Sequence, residues 1–439
     1  MSDHEQASSS AGRGATPSEL TQSQRYVVLI TAFLGWMFAG TQMAITGIVM
    51  RPAARDLLSG ATSEEGVVGF WISLYVCAFL FGAAAGGLVF GWFGDRFGRS
   101  KAMAASILCY SLFAASAYLA EDTWQLLIVR FLACMGVGGM WPNGISLVSE
   151  AWSNLSRPMI AGVIGTAANV GIMGASFIAS QEQYAVTSDT WRMAMLISAS
   201  PVFLGLFSLF CVPESPRWLA TRLHISTMEK APTPVAEVFR PPFLGLALVG
   251  IALATVPLLG GWGAAQWMTQ WADQVGTSMT PPDETLKAKV SLYRSVTGTV
   301  GSFLGGVIAS FVGRRMTYFL ISIVALGSAQ YTFWFLHPTE GSFMIWVSVL
   351  GFFSGIYFGW LPLCLPEMFP TRVRSTGAGV SFNFGRILTA VTVFISGWLL
   401  HSVFSGEYQS IGQVTSLIYL IGAIAICYAP DTSKKGIED

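Results

Sequence analysis

Twelve long apolar runs, each able to cross a bilayer as a helix, dominate this 439-residue chain and exclude most other folds. They lie near 26–50, 68–92, 102–119, 123–148, 159–180, 193–212, 243–267, 295–312, 317–336, 343–366, 376–400 and 411–429. At 1.5 Å of rise per residue, about 20 residues bridge roughly 30 Å of hydrocarbon. No water reaches the backbone there, so each run must close its own hydrogen bonds as a helix. Only 11% of residues are charged, against about 25% in soluble domains. Basic and acidic residues balance at 24 each, so a nucleic-acid partner is not expected.

Placement of charge says more than its sum. With the N-terminus in the cytoplasm, 16 basic residues fall in cytoplasmic segments, 6 outside and 2 within spans. That bias orients a multi-pass protein of the inner (cytoplasmic) membrane with both termini inside. The spacing predicts a Ser/Gly/Ala-rich disordered tail over 1–24, a six-helix bundle over 25–212 and a cytoplasmic linker over 213–242. A second bundle follows over 243–430 and a tail over 431–439. All six cysteines, Cys77, Cys109, Cys134, Cys211, Cys364 and Cys427, sit in apolar runs and read as small buried hydrophobes.

An internal repeat relates the two bundles. Glu150, Arg157 and Gly162 recur 217 residues later as Glu367, Arg374 and Gly379. At an offset of 215, Gly86, Gly91, Gly98 and Arg99 match Gly301, Gly306, Gly313 and Arg314. The expected fold is therefore an all-α membrane protein, twelve transmembrane helices in two pseudo-symmetric six-helix bundles. Parallel repeats about a central axis suit alternating access.

Three motifs carry a resemblance. Gly91-Trp-Phe-Gly-Asp95-Arg96-Phe-Gly98-Arg99 follows the second span, and it resembles the signature loop of the major facilitator superfamily. Pro213-Glu-Ser-Pro-Arg-Trp-Leu219 and Pro366-Glu-Met-Phe-Pro-Thr-Arg-Val-Arg374 are similar to stretches of its sugar-porter and organic-ion branches. The resemblance implies a secondary transporter, and a cytoplasmic gate built from Asp95, Arg96, Arg99, Glu150, Arg157, Glu214, Arg314, Glu367 and Arg374. It also implies that Asp95 meets the start of the eleventh span and latches the inside closed. The bland alternative is that these charges only solvate loop ends.

All 24 acids can be placed outside the spans, which leaves two arginines in hydrocarbon without a carboxylate. A guanidinium at mid-span costs at least roughly 2.5–3.5 kcal/mol and does not titrate away. Arg386 lies near the middle of span eleven, one helical turn from Asn383, and the repeat maps the pair onto Asn169 and Thr166. Arg386 also stands twelve residues after Arg374, a spacing that resembles the organic anion transporters of the superfamily. Helix glue, with the arginine bonded to carbonyls, is the competing account. Arg130, early in span four, is similar to a superfamily arginine tied to proton coupling, or snorkels to the interface. Ala39 and Gln42 stand where related carriers hold acids, so no mid-depth group offers a pKa near working pH. His337, His401 and Asp273 at the rims are the exceptions.

Trp141-Pro142-Asn143-Gly144 and Gly355 to Pro362 read as breaks in spans four and ten. Trp141, Asn143, Tyr357 and Trp360, with Trp262, Gln266 and Trp267 of span seven, offer aromatic walls and polar tips. The leading expectation is a secondary active or facilitative transporter of a small organic anion, a carboxylate, held by Arg386, Asn383, Asn169, Thr166, Gln42 and Asn143. A sugar or polyol carrier, an amphiphile or drug efflux carrier, and a non-transporting membrane receptor are the alternatives. No enzyme active site, cofactor or metal cluster is legible. A monomer in lipid, coupled to a proton or counter-anion, completes the expectation.

Overall fold

A computed structural model describes residues 20–58, 64–152, 157–216, 218–219, 235–370 and 373–431. Those residues contain helices and no strands. Eleven helices are long and apolar enough to cross a membrane, and the apolar stretch Val163–Ala179 supplies the twelfth crossing. In chain order the first five spans are Gln22–Ile48, Glu65–Phe97, Arg99–Ser116, Thr123–Ala151 and Arg157–Ala179. The sixth, Trp191–Cys211, is broken into two helices at Ser198–Pro201. The second set is Leu244–Ser278, Leu286–Val312, Arg314–Phe335, Gly341–Glu367, Arg374–Ser402 and Tyr408–Tyr428. An even number of crossings brings Leu20 and Asp431, the outermost described residues, to one face, the tail face, opposite a distal face.

Two expectations about the helices are corrected. Spans four and ten run unbroken through Pro142 and through Pro362 and Pro366. Prolines are tolerated in membrane helices where neighbours and side chains support the freed backbone groups. The irregular turn lies instead in span seven, where Gly260–Ala264 form a single π-helical turn. Spans seven and eight are also longer than their apolar runs. They extend to Ser278 and begin at Leu286, which brings Asp273, Lys287, Lys289 and Arg294 into helices. Ion pairing, described below for Asp273 and Lys287 and made by Lys289 with Asp283 at 3.0 Å, offsets the polarity of three of these four.

Glycines set how closely the spans approach, and they do so twice. A Cβ on Gly86 would collide with the Met135 carbonyl, and one on Gly138 with the Ala83 carbonyl, locking spans two and four together. Shifted by the repeat, Gly301 meets the Phe352 carbonyl and Gly355 the Gly298 carbonyl, locking spans eight and ten. Such close backbone approach is how membrane helices gain van der Waals contact where lipid offers no hydrophobic drive. The one-residue turns at the tail face repeat too. Gly98 has φ +117° and Gly313 φ +96°, a region that a Cβ makes costly.

Not every cysteine is buried as expected. Cys77, Cys134 and Cys364 are, but Cys211 and Cys427 are exposed on the periphery, where their neighbours Phe210 and Tyr428 also face outward. Apolar surroundings explain both cases, protein in one and lipid-facing surface in the other.

Candidate functional site

Two arginines separate structurally at mid-span. Exposed apolar residues of span eleven, Phe384, Ile387, Leu388, Val391, Phe394, Ile395 and Trp398, form one outward stripe. At 100° per residue Arg386 lies about 140° around the helix from that stripe, so it points inward. Its guanidinium stacks over the Phe382 ring at 4.8 Å, a cation–π contact that leaves the N–H donors free. Among the described residues no acid and no hydrogen-bond acceptor engages it. Asn383 and Asn169 are half-buried. Thr166 donates only to the Val163 carbonyl of its own helix, at 2.7 Å.

Arg130 neither snorkels nor lines an open space. It is 0% exposed, and Nη2 donates to the Gln42 carbonyl at 3.2 Å and to Thr46 Oγ1 at 3.1 Å. Gln42 Nε2 in turn donates to the Ser198 carbonyl at 2.9 Å, tying spans one, four and six. Gln42 is thus a structural bridge. Gln42→Leu should lower stability by about 1–3 kcal/mol, since it removes the Oε1 acceptor 3.5 Å from Arg130 Nη1 and the donor to the Ser198 carbonyl, while the Gln42 backbone carbonyl and Thr46 still hold Nη2. Thermal unfolding of the purified protein reads this, and an unchanged melting temperature would overturn the assignment.

Most of the expected aromatic wall is packing. Tyr357 is fully buried, shares a 2.7 Å hydrogen bond with Ser322 and stacks parallel to Tyr419. Trp360 Nε1 donates to the Arg314 carbonyl at 2.9 Å, and Asn143 Nδ2 to the Phe90 carbonyl at 3.0 Å. Trp141 is half-buried against Trp36, with ring centroids 4.9 Å apart. Trp262 lies on Phe79 at 4.2 Å, one aromatic contact between the two halves. Trp36, Phe79 and Phe382 carried no sequence signal beyond their apolarity.

The densest polar cluster is on the distal face, where sequence reading expected only loops. Asp273, 1% exposed, accepts from Arg51 Nη1 at 2.9 Å and from Lys287 Nζ at 2.8 Å. Glu65 takes the other edge of the Arg51 fork, at 2.8 and 3.0 Å, and accepts from the Tyr408 hydroxyl at 2.8 Å. Lys287 also donates to the Val186 carbonyl at 2.7 Å. Burial acts to lower the Arg51 pKa, but the carboxylates of Asp273 and Glu65 outweigh it and hold the group firmly charged. Farther in, Gln266 Nε2 donates to the Thr46 carbonyl at 2.9 Å, Gln270 Nε2 to the Gly47 carbonyl at 3.2 Å, and Ser176 to Ser291 at 2.8 Å. Every one of these bonds, apart from that between Lys287 and Asp273 and that between Arg51 and Glu65, joins the first six spans or their loops to the second six. The expectation that all acids lie outside the spans is corrected here: Asp273 is inside span seven, between two cations.

At the tail face the expected gate is not closed through Asp95. That side chain is 68% exposed and pairs with Arg99 one turn on. Arg96 leans over Trp92 and Phe97, and Glu214 accepts from the Ser100 amide at 3.2 Å. Arg314 reaches Glu367 at 3.3 Å, within the second half, and Arg374 donates to the Phe369 carbonyl. Glu150 ends span four with Oε2 buried, and the Arg157 side chain lies outside the described residues.

The sequence profile described as "Sugar (and other) transporter" matches residues 27–234 and 246–438. A cis,cis-muconate transport protein of Acinetobacter baylyi is 24% identical over 380 residues, 85% of this chain and 87% of that protein. A niacin transporter from the same organism is 24% identical over 440 residues, covering 94% and 95%. Among solved structures, a D-xylose-proton symporter superposes with a TM-score of 0.69 at 18% identity, covering 93% of this chain and 99% of the other.

Proposed function

Because the chain belongs to the sugar (and other) transporter family, we propose that it carries a small organic carboxylate across the membrane by alternating access. It is a multi-pass membrane transporter and not an enzyme. Both chain ends lie in the cytoplasm on this reading, following the basic excess on the tail side. One observation carries the substrate class: Arg386 points inward at mid-span with no counter-charge among the described residues. An unpaired guanidinium in a low-dielectric space is stabilised by an anion far more than by a neutral guest. Relatives named for muconate and niacin carry molecules with carboxylates, which agrees with that chemistry. Asn383 and Asn169, both half-buried, would bond the polar groups of the guest.

Access follows from the two faces. The ion network around Asp273 closes the distal side while Asp95 stands free of any second-half partner among the described residues, so on this reading the guest reaches Arg386 from the tail side. Rocking to the other state would break the Arg51–Asp273 pair. Coupling to a proton or counter-anion would act on that same exchange.

The test is ligand-induced thermal stabilisation with a panel of carboxylates and neutral sugars. Carboxylates should raise the melting temperature of the wild type, and Arg386→Ala should weaken their apparent affinity by at least tenfold, with Arg386→Lys intermediate. Stabilisation by neutral sugars that survives Arg386→Ala would instead favour the sugar or polyol reading.

A further inference from the structure

Arg294 is a third guanidinium at depth. It is the ninth residue of span eight, about 12 Å along the helix from its start at 1.5 Å per residue. The outward stripe of that span is Tyr293, Val296, Val300, Phe303, Val307 and Phe311. Arg294 lies about 130° around the helix from it, so like Arg386 it points inward. Its backbone is fixed, because its carbonyl would block any Cβ on Gly351 of span ten. Among the described residues its guanidinium has neither ion pair nor hydrogen bond, and Tyr419 is the ionisable side chain within electrostatic range of it. Tyr419 is 0% exposed, and its hydroxyl is buried without a hydrogen-bond partner. Arg130, by contrast, is enclosed and spends its Nη donors on Gln42 and Thr46.

Depth can be read from span seven. Gly385, adjacent to Arg386, packs on Ala254 and Thr255, whereas the Tyr419 hydroxyl packs on Gly260. Five residues of helix separate these levels, about 7–8 Å. Two free guanidiniums thus stand at two depths of the second half, with an unpartnered hydroxyl within electrostatic range of the more distal one. A monoanion on Arg386 alone would leave Arg294 uncompensated once the two halves close over the cargo, which a low dielectric penalises. We propose that Arg294 and the Tyr419 hydroxyl form a second anion subsite, so that the cargo is a dicarboxylate bridging Arg294 and Arg386. This rests on the reading of Arg386 as the first anion site.

Binding of unbranched α,ω-dicarboxylates of four to eight carbons, and of monocarboxylates of matched length, to the full-length protein in nanodiscs tests it by calorimetry. Dicarboxylates should bind at least tenfold more tightly than their monocarboxylate partners, with an optimum chain length. Arg294→Gln should erase that advantage and Arg294→Lys should restore part of it. Tyr419→Phe should narrow the advantage several-fold while leaving the ligand-free protein at least as stable, because the hydroxyl has no bond to lose. Equal affinity for both classes in the wild type, or an advantage that survives Arg294→Gln, would overturn the second subsite and leave Arg386 standing. Failure of every carboxylate to bind would remove both readings.

Discussion

Replacing Asp273 with leucine should cost about 3–5 kcal/mol and open the distal face, because it leaves the buried Lys287 with Glu284 only at 4.0 Å and Arg51 with Glu65 alone. Asp273 joins both cations within 2.9 Å, and neither Glu65 nor the Val186 carbonyl can replace the shared charge. Melting temperature gives the stability change. Maleimide labelling of Ser291→Cys, a position 3% exposed while the distal side is closed, gives the opening, in a background with the native cysteines replaced. The double variant Asp273→Leu/Lys287→Met should lose less than Asp273→Leu alone, because one stranded charge goes with its partner. If Asp273→Leu melts like the wild type and Ser291→Cys stays protected, the distal network does not hold the two halves together.

Gly355→Val should be comparably damaging, for a purely steric reason. Its side chain would enter the Gly298 carbonyl, which belongs to backbone and cannot rotate away. Overpacking of a close-packed interior costs about 1–3 kcal/mol even where side chains can shift, and here a whole helix must move. Gly138→Val, the repeat-related position against the Ala83 carbonyl, should behave the same way. Gly327→Ala, with open space at its Cβ, is the control and should be tolerated. Folded yield by size-exclusion chromatography and melting temperature distinguish the three. Equal behaviour of Gly355→Val and Gly327→Ala would show that these contacts do not set the helix spacing.

Apolar runs announced the twelve spans because hydrocarbon demands them, and the 215–217 offset announced the repeated packing through Gly86, Gly138, Gly301 and Gly355. What stayed hidden depended on partners distant in sequence. Asp273, Lys287 and Arg51 look like loop charges until folding pairs them, 222 residues apart in the case of Arg51 and Asp273. Arg294 was hidden by the same drop in hydropathy. Gln42, Asn143, Gln266 and Trp360 looked like guest-binding groups, since a polar tip in an apolar run serves a ligand or a neighbouring carbonyl equally well. Each found a carbonyl. Arg386 was legible because no acid in its own half or the other lies at its depth.

Span seven carries one residue more than an α-turn between Gly260 and Ala264, and that surplus sets the phase of everything beyond it. Ala254 and Thr255 address span eleven on one side of the bulge, while Gln266 and Gln270 address the Thr46 and Gly47 carbonyls on the other. Straightening that turn to ordinary α-helix with every residue kept would swing the outer segment by about 100°, the advance of one residue. Both glutamines would then leave their acceptors together, whereas excising one residue of the bulge would let the helix straighten with their phase kept, so the surplus residue is what the seam tolerates only as a bulge.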